Sequence, residues 1–279
     1  MTTTNSDTSA TFIDAFAGGS PLRVCAHAVS HTHLLRNLVA RDLQLKYRGS
    51  LLGVVWSLLN PLSLLAVYTL AFKYIVGNTN PRFVLLLFVG LSAWSYFAAV
   101  VSASTSCIVD NTGLLRVMNV PRAILPLAVT IFHLVQHLLL LVIVLTAGFT
   151  VAGHQLLLSL WCLPALVLLL SVFAWGWALA LSALCVSYRD VRHLVEVSLP
   201  MLFWASPIVY DIARVPDAIR TLIVWSPATP FVLGYQALLV HGQVPSGGAW
   251  LAMTAYALLA AYGGLMLFAR LDRSMVEVL

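Results

Sequence analysis

The sequence has very few charged residues. Only 9% of its 279 residues are Asp, Glu, Lys or Arg, whereas 61% are hydrophobic. Soluble domains carry about a quarter charged residues and about half or fewer apolar ones, so a soluble fold of this length would lack the polar surface it needs. The composition excludes a soluble enzyme or binding domain. It predicts an all-α protein that crosses the bilayer several times.

Recognisable catalytic and nucleotide-binding motifs are also missing. Lys46 and Lys73 are the only lysines, and neither lies in GxxxxGK[ST], so the chain has no P-loop for ATP. HExxH, GxSxG and paired carboxylates are absent. His133 and His137 are four residues apart, but no acidic or Cys partner is nearby, so we expect neither a metal site nor a cofactor. The net charge of +5 does not by itself indicate nucleic-acid binding.

The spans contain almost no ionisable residues, and the N-terminus carries no secretory signal. Ion-coupled pumps need ionisable groups at membrane depth, so the energy for any transport would come from outside the chain. Residues 1–30 are predicted to be a loosely attached tail and residues 31–279 a single transmembrane domain. The four cysteines form no CxxC pair, and those in apolar segments are expected to be buried hydrophobes: Cys107, Cys162 and Cys185.

Long apolar runs give the predicted spans. A spanning helix needs about 20 mostly apolar residues. Six such runs lie at 51–76, 83–109, 124–152, 156–187, 194–210 and 250–269. Residues 218–240 consist of two apolar halves of about ten residues each, too short to cross. We therefore expect a re-entrant helical hairpin before the last span.

Basic residues predict the orientation. With a cytoplasmic N-terminus, 11 Lys and Arg residues lie in inside segments and 4 lie outside. The inside set is Arg23, Arg36, Arg41, Lys46, Arg48, Arg116, Arg122, Arg189, Arg192, Arg270 and Arg273. Positive charges accumulate on the cytoplasmic side, so both termini are predicted to be cytoplasmic.

Residues 33–48 are predicted to form an amphipathic helix in the membrane interface. Asn37, Arg41, Gln44 and Arg48 recur at helical spacing and form a polar stripe, while Leu34, Leu35, Leu38, Val39 and Leu45 lie largely opposite. Asp42 and Lys46 are expected to form an i,i+4 pair. Two interpretations are open. The helix is a membrane anchor with positive-inside charges, or it meets an anionic lipid headgroup through Arg41, Lys46, Arg48 and the hydroxyl of Tyr47.

Two short inside loops are also charged. Residues 113–119 are predicted to form a short helix with Leu114, Leu115 and Val117 facing a partner or the membrane and Arg116 facing water. The second loop places Arg189, Asp190, Arg192, His193 and Glu196 within eight positions. Each loop is either a solvated hairpin or a docking surface for a soluble partner.

Several motifs resemble the membrane subunits of ABC-2-type exporters of polysaccharides and polyol phosphates, such as O-antigen, capsule and teichoic acid exporters. The similarity is carried by "RDLQLKYRGSLLGVVWSLLNPL" (41–62), "NVPRAILPLA" (119–128), "YRDVRHLVEVSLPMLFWASPIVY" (188–210), "SPATPFVLGYQALL" (226–239) and "FARLDRSMVEVL" (268–279). The ordered matches cover roughly residues 30 to 279. In one departure, Ser226-Pro227 stands where the family usually has Asn-Pro.

The resemblance implies a permease without enzymatic activity. It implies a homodimer in the bacterial inner membrane that works with two copies of a separate ATPase, which binds ATP and Mg. The substrate would be a glycan on a polyprenyl pyrophosphate, with O-antigen favoured. The pyrophosphate would enter near Arg41, Lys46, Tyr47 and Arg48. The ATPase would contact Leu114, Leu115, Arg116, Val117, Pro121, Arg122, Arg189 and Asp190.

Aromatic side chains in the spans are candidates for the channel lining, because aromatic faces stack on sugars. Tyr68, Phe72, Trp94 and Tyr96 are the predicted lining residues, in a set that also contains Phe203 and Trp204. Interfacial belts and ordinary packing are the alternative explanation. At the level of function, the alternatives are an ABC-2 exporter of a small molecule or drug, and a membrane-embedded lipid or glycan transferase.

Overall fold

The computed structural model describes residues 32–49, 53, 55–117, 121–212 and 215–278. All regular elements in these ranges are helical. The first half contains α1 (Thr32–Tyr47), α2 (Val55–Thr69), α3 (Phe83–Thr105), α4 (Cys107–Asp110), α5 (Thr112–Val117) and α6 (Ile124–Ala152). The second half contains α7 (His154–Ser159), α8 (Leu163–Ser187), α9 (Val191–Trp204), α10 (Asp217–Val224), α11 (Thr229–His241) and α12 (Gly247–Val278). The predicted tail, residues 1–30, lies outside the described residues.

The predicted all-α polytopic fold is confirmed. Among the described residues, five helical segments are long and apolar enough to cross a membrane: Val55–Ile75, Phe83–Thr105, Ile124–Ala152, His154–Ser187 and Gly247–Asp272. The first continues α2 through a π-helical turn, and the fourth joins α7 to α8 through a 3₁₀ turn. Four of the six predicted spans end within a few residues of these segments, and the last helix continues well beyond its predicted end.

The predicted span at 194–210 is not one long helix in the structure. Helix α9 has 14 residues, which reach about 21 Å at 1.5 Å per residue. The hydrocarbon core is about 30 Å thick, so this helix alone is too short to cross it. Pro207 follows within three residues of the helix end, and the chain continues without regular helix through Ile208 and Val209, which are both buried.

The segment predicted as a re-entrant hairpin consists of two helices that meet at 90°. Helices α10 and α11 are separated by Trp225–Ala228, and the first turn of α11 contains Pro230. Both a re-entrant loop and a broken span have this bend, and if the pair counts as one span the total rises to six. The re-entrant assignment stays a prediction.

Helix α3 is the centre of the bundle. In the apolar 18-residue stretch of α3, 72% is buried inside the chain. In the corresponding stretch of the segment that contains α2, only 6% is buried. Helices α2, α6, α8, α9 and α11 all pack against α3. Cys162 and Cys185 lie in the main core and Cys107 in a second one, and all three are free thiols. Their predicted role as small buried hydrophobes is confirmed.

The second core lies at one end of the bundle. It joins Leu38 of α1, Ile108 of α4, Ile124 of α6 and Phe268 of α12. It also takes in Leu179 of α8. Helix α1, the short helices α4 and α5 and the C-terminal part of α12 therefore share one packed unit.

Candidate functional site

The basic strip of α1 is tied to the rest of the chain. Arg41 Nη2 lies 2.9 Å from Asp42 Oδ1, and the same nitrogen donates to Asn111 Oδ1 at 3.4 Å. Lys46 Nζ donates to Gln136 Oε1 at 2.7 Å. The predicted Asp42–Lys46 pair is wrong, because Asp42 pairs with its neighbour Arg41 while Lys46 reaches across to α6. The strip links α1 to both α6 and the turn before α5.

The other two predicted entrance residues differ in exposure, since Tyr47 is partly buried and Arg48 is exposed. The hydroxyl of Tyr47 is 2.6 Å from Ser57 Oγ, which connects the end of α1 to α2. Arg48 is exposed and precedes Gly49, whose φ of 75° is one that glycine adopts readily. Partial desolvation lowers the pKa of Lys46, which also lies 5.4 Å from the centre of the Phe132 ring. Of the four predicted entrance residues, Arg41, Lys46 and Tyr47 thus contact other residues of the chain, and Arg48 is exposed.

The apolar face of α1 packs on the bundle. Leu38 and Val39 are buried, and Leu34 and Leu35 are partly buried against the same second core. Leu45 is 64% exposed, so it does not share that buried face as the pattern predicted. The helix is held by protein contacts with α6. Its depth in the membrane interface stays a prediction.

The predicted partner-facing helix of the first inside loop is present as α5. Leu114 and Leu115 pack against the second core, whereas Gly113 and Arg116 are exposed. Both leucines are only partly buried, so the prediction that they face a partner or the membrane stays a prediction. The exposed residues of α5 are Gly113 and Arg116, which form the Gly113–Arg116 surface. Residues 118–120 and the side chain of Val117 lie outside the described parts of the chain.

Pro121 and Arg122 also face inward. Pro121 is buried. Arg122 Nη1 donates to Asp272 Oδ1 at 2.8 Å and to the Asp272 carbonyl at 3.2 Å. Both side chains of this pair are about three-quarters buried, at 22% and 23% exposure. Arg122 therefore contacts the last helix of the same chain, and its predicted contact with an ATPase stays a prediction.

The second inside loop is open to solvent. Arg189 and Asp190 are both exposed between α8 and α9. On the first turn of α9, Arg192 Nε lies 3.5 Å and His193 Nδ1 lies 3.2 Å from the carboxylate of Glu196. Tyr188 is 64% exposed beside them. Both predicted inside loops thus expose charged side chains, Arg116 in the first and Arg189 and Asp190 in the second.

Two of the four predicted lining aromatics are buried. Trp94 and Tyr96 are only 8% and 3% exposed, because both belong to α3. The Tyr96 hydroxyl donates to Ser171 Oγ at 3.0 Å, and its ring stacks on His137 at 4.8 Å between centroids. Tyr96 is therefore a core residue of this chain, and the prediction that it lines an open channel is wrong for the arrangement described.

The other two belong to an aromatic cluster between α2 and α9. Tyr68 stacks on Phe203 with centroids 5.5 Å apart. Phe72 lies 6.5 Å from Trp204, which is 52% exposed. Trp94 contacts the buried side of the cluster through Phe203 at 5.8 Å. Phe203 and Trp204 were not among the four predicted lining residues, although they lie at the end of α9 in the aromatic set that the sequence analysis named.

A buried polar pair joins α6 to α11. His137 and Tyr235 are at most 3% exposed, and His137 Nε2 is 3.2 Å from the Tyr235 hydroxyl. Beside it, Gln236 Nε2 donates to the carbonyls of Leu86 and Pro207, each at 3.3 Å. The described residues contain no group of three His, Cys, Asp or Glu side chains that could hold a metal. These contacts therefore fix the second half of the hairpin against α3 and α6.

An apolar cavity of about 510 Å³ lies between the hairpin and the start of α12. Its lining includes Trp225, Pro230, Leu233 and Tyr256, with few polar atoms. The Tyr256 hydroxyl donates to the Trp225 carbonyl at 3.1 Å across its rim. Its hydroxyl-bearing lining residues are Thr229, Ser246 and Tyr256, and the lining contains no His, Cys, Asp or Glu beside them.

Comparisons with known proteins agree with this architecture. A family model described as "ABC-2 type transporter" matches residues 33–240. The O-antigen export system permease protein RfbA of Myxococcus xanthus is 28% identical over 249 residues, which are 88% of this chain and 95% of that relative. An RfbA of Klebsiella pneumoniae is 25% identical over 209 residues, covering 75% and 81%. The polysialic acid transport protein KpsM of Escherichia coli is 22% identical over 250 residues, covering 86% and 93%. The chain belongs to the ABC-2 type transporter family.

Proposed function

We propose that this chain is the membrane subunit of an ATP-driven exporter that moves a polyprenyl-pyrophosphate-linked polysaccharide, of the O-antigen class, across the bacterial inner membrane. The observation that carries the proposal is the placement of a basic helix, α1, directly beside a candidate ATPase-coupling helix, α5, through the Arg41–Asn111 contact. The names of the relatives, two RfbA permeases and KpsM, support a polysaccharide as cargo.

We infer that two copies of the chain form the permease. The exposure of α2 supports a dimer, because only 6% of the apolar stretch in Val55–Ile75 is buried within the chain. Helix α9 also exposes apolar side chains on one side, with Leu194, Val197, Met201 and Trp204 each more than half exposed. Contact with a second copy would enclose the aromatic cluster of α2 and α9 between two subunits. Tyr68, Phe72, Phe203 and Trp204 then become the aromatic lining that a sugar chain passes.

The cytoplasmic side of the mechanism follows from charge. With both termini inside, a pyrophosphate meets Arg41 and Arg48, while Lys46 adds a nearby positive charge. Two copies of a separate ATPase, which hold ATP and Mg, bind the Gly113–Arg116 surface and the Arg189–Asp190 loop. Closure of the ATPase pair pushes these two elements, and the spans separate. The hairpin of α10 and α11 forms the outer gate.

A co-purification experiment tests the proposal. The tagged chain is extracted from native membranes in mild detergent, and the eluate is assayed for a bound P-loop ATPase and for accumulated lipid-linked glycan. We expect stoichiometric ATPase that Arg116→Glu removes, because the substitution reverses the charge on the exposed surface of α5. Arg270→Glu is the matched control, since it reverses an exposed charge on α12. A chain that purifies alone in every mild detergent contradicts the proposal.

A further inference from the structure

The C-terminal part of α12 is fixed to the first inside loop by a partly buried ion pair. Arg122 donates two hydrogen bonds to Asp272, one to the carboxylate at 2.8 Å and one to the backbone carbonyl at 3.2 Å. Charge-assisted hydrogen bonds of this kind are stronger than neutral ones. Both side chains are mostly shielded from water, so solvent and salt screen the pair less than an exposed pair. Arg122 lies five residues after the end of α5.

The opposite part of α12 contacts the hairpin. The Tyr256 hydroxyl donates to the carbonyl of Trp225, at the 90° bend between α10 and α11. One turn earlier, Met253 is fully buried against Gly234 of α11, where an added Cβ would lie 3.1 Å from the methionine sulfur. The same helix therefore contacts the first inside loop near one end and the hairpin nearer the other.

Between these contacts α12 is one uninterrupted helix. It has 32 residues and contains no proline. Its Gly263-Gly264 pair is a second kind of site at which helices kink, but the helix is continuous there and Gly264 packs on Gly176. The 16 positions from Tyr256 to Asp272 span about 24 Å at 1.5 Å per residue. Along this stretch α12 packs backbone to backbone on α8, since a Cβ on Gly264 would overlap the carbonyl of Gly176. One continuous helix therefore connects the Asp272 contact to the Tyr256 contact.

We infer that α12 transmits the movement of the first inside loop to the α10–α11 hairpin, and that Arg122 and Asp272 are the positioning residues that attach α12 to that loop. This inference rests on the proposed function, because it assigns the loop movement to the partner ATPase. An ATPase that pushes α5 displaces Arg122, the ion pair carries α12, and Tyr256 shifts the Trp225 turn. Coupling between two sites is a property of both of them, so the test measures the Arg122 end and the Trp225 end.

The test compares Asp272→Asn, Arg122→Ala and the exchanged pair Arg122→Asp with Asp272→Arg in the complete exporter. Arg270→Ala is the control, because it removes an exposed positive charge from the same turn of α12. Four quantities are measured: bound ATPase, ATP hydrolysis, glycan export, and the ATP-dependent change in thiol reactivity of a cysteine placed by Trp225→Cys. The change in thiol reactivity at position 225 reports directly on the bend between α10 and α11.

We expect both single variants to keep the ATPase bound and hydrolysing ATP. Their export should fall by at least about fivefold, the lower end of ordinary coupling between two sites, and the ATP-dependent change at position 225 should disappear. The exchanged pair should restore export. Tyr256→Phe, which removes only the hydroxyl at the hairpin end, should lose the response at position 225 without touching Arg122.

The opposing results are equally specific. Normal export and a normal response at position 225 in Asp272→Asn would overturn the inference, as would an exchanged pair no better than the single variants. Loss of bound ATPase in Arg122→Ala but not in Asp272→Asn would make Arg122 a direct ATPase contact and also overturn it. If no variant and no wild-type chain binds an ATPase, the proposed function itself fails, and that result is distinct from all of these.

Discussion

The contact between α8 and α12 allows a sharp prediction from two adjacent glycines. A Cβ on Gly264 would come closer than 3.0 Å to the backbone of Gly176, whereas one on Gly263 would meet nothing within 4 Å. The clash is with backbone atoms, which cannot rotate away as a side chain can. Gly264→Ala should therefore force the two helices apart, and Gly263→Ala should not.

The size of the effect can be worked out from two opposing contributions. Overpacking a close contact costs up to about 3 kcal/mol, and alanine gains about 1 kcal/mol over glycine in a helix interior. Gly264→Ala should lose about 2 kcal/mol of stability in total. For chains of roughly this size, 1 kcal/mol changes Tm by about 2–4 °C, so the expected loss is about 4–8 °C. Gly263→Ala should leave Tm unchanged or slightly raised.

The measurement is the thermal loss of the monodisperse peak on size exclusion, with both variants purified in the same detergent and heated at the same rate. Fixed conditions matter because membrane proteins commonly unfold irreversibly. Gly176→Ala provides a second test, since its Cβ would overlap the Ala260 backbone from the other side. Equal midpoints for Gly264→Ala and Gly263→Ala would refute the close approach of α8 and α12.

Three further predictions concern the entrance, the core and the channel. Replacing Arg41 and Arg48 together with alanine should reduce glycan export while membrane insertion, checked by fractionation, stays intact; unchanged export would remove the basic helix from the mechanism. Tyr235→Phe should lower stability by about 1–3 kcal/mol because His137 Nε2 loses its buried partner, and a thermal midpoint equal to wild type would argue against that pair. Tyr68→Leu keeps an apolar side chain but loses ring stacking, so export should slow with little change in expression, whereas an export rate equal to wild type would exclude Tyr68 from the lining.

The sequence predicted the helices better than their contacts. Hydropathy identifies the spans because a helix needs a long apolar run to cross the lipid bilayer. It does not reveal which side of a span faces protein, since lipid and core are equally apolar. Tyr96 illustrates the limit, because its position in an apolar run suits a channel wall and a buried core equally well. Only the central position of α3 distinguishes them.

The charged segments show the same limit at shorter range. Asp42 and Lys46 have the right spacing for a pair, but Arg41 is adjacent to Asp42 and Gln136 lies within reach of Lys46. Spacing within one helix cannot include partners 90 residues away in sequence. Likewise, six residues of α5 define an apolar face in Leu114 and Leu115 but not whether that face meets a partner or the chain's own core.

The pairing of α8 with α12 has a consequence for how the protein is made. Spans enter the membrane in the order of synthesis, and the partner of Gly176 follows it by more than 80 residues. Contacts so distant in sequence form late. While the last span is still in the ribosome, the Gly176 side of α8 lacks the helix that packs on it in the folded chain. A chain that stops before α12 therefore stays in the bilayer with its closest helix contact unformed, and we expect membrane quality control to degrade it.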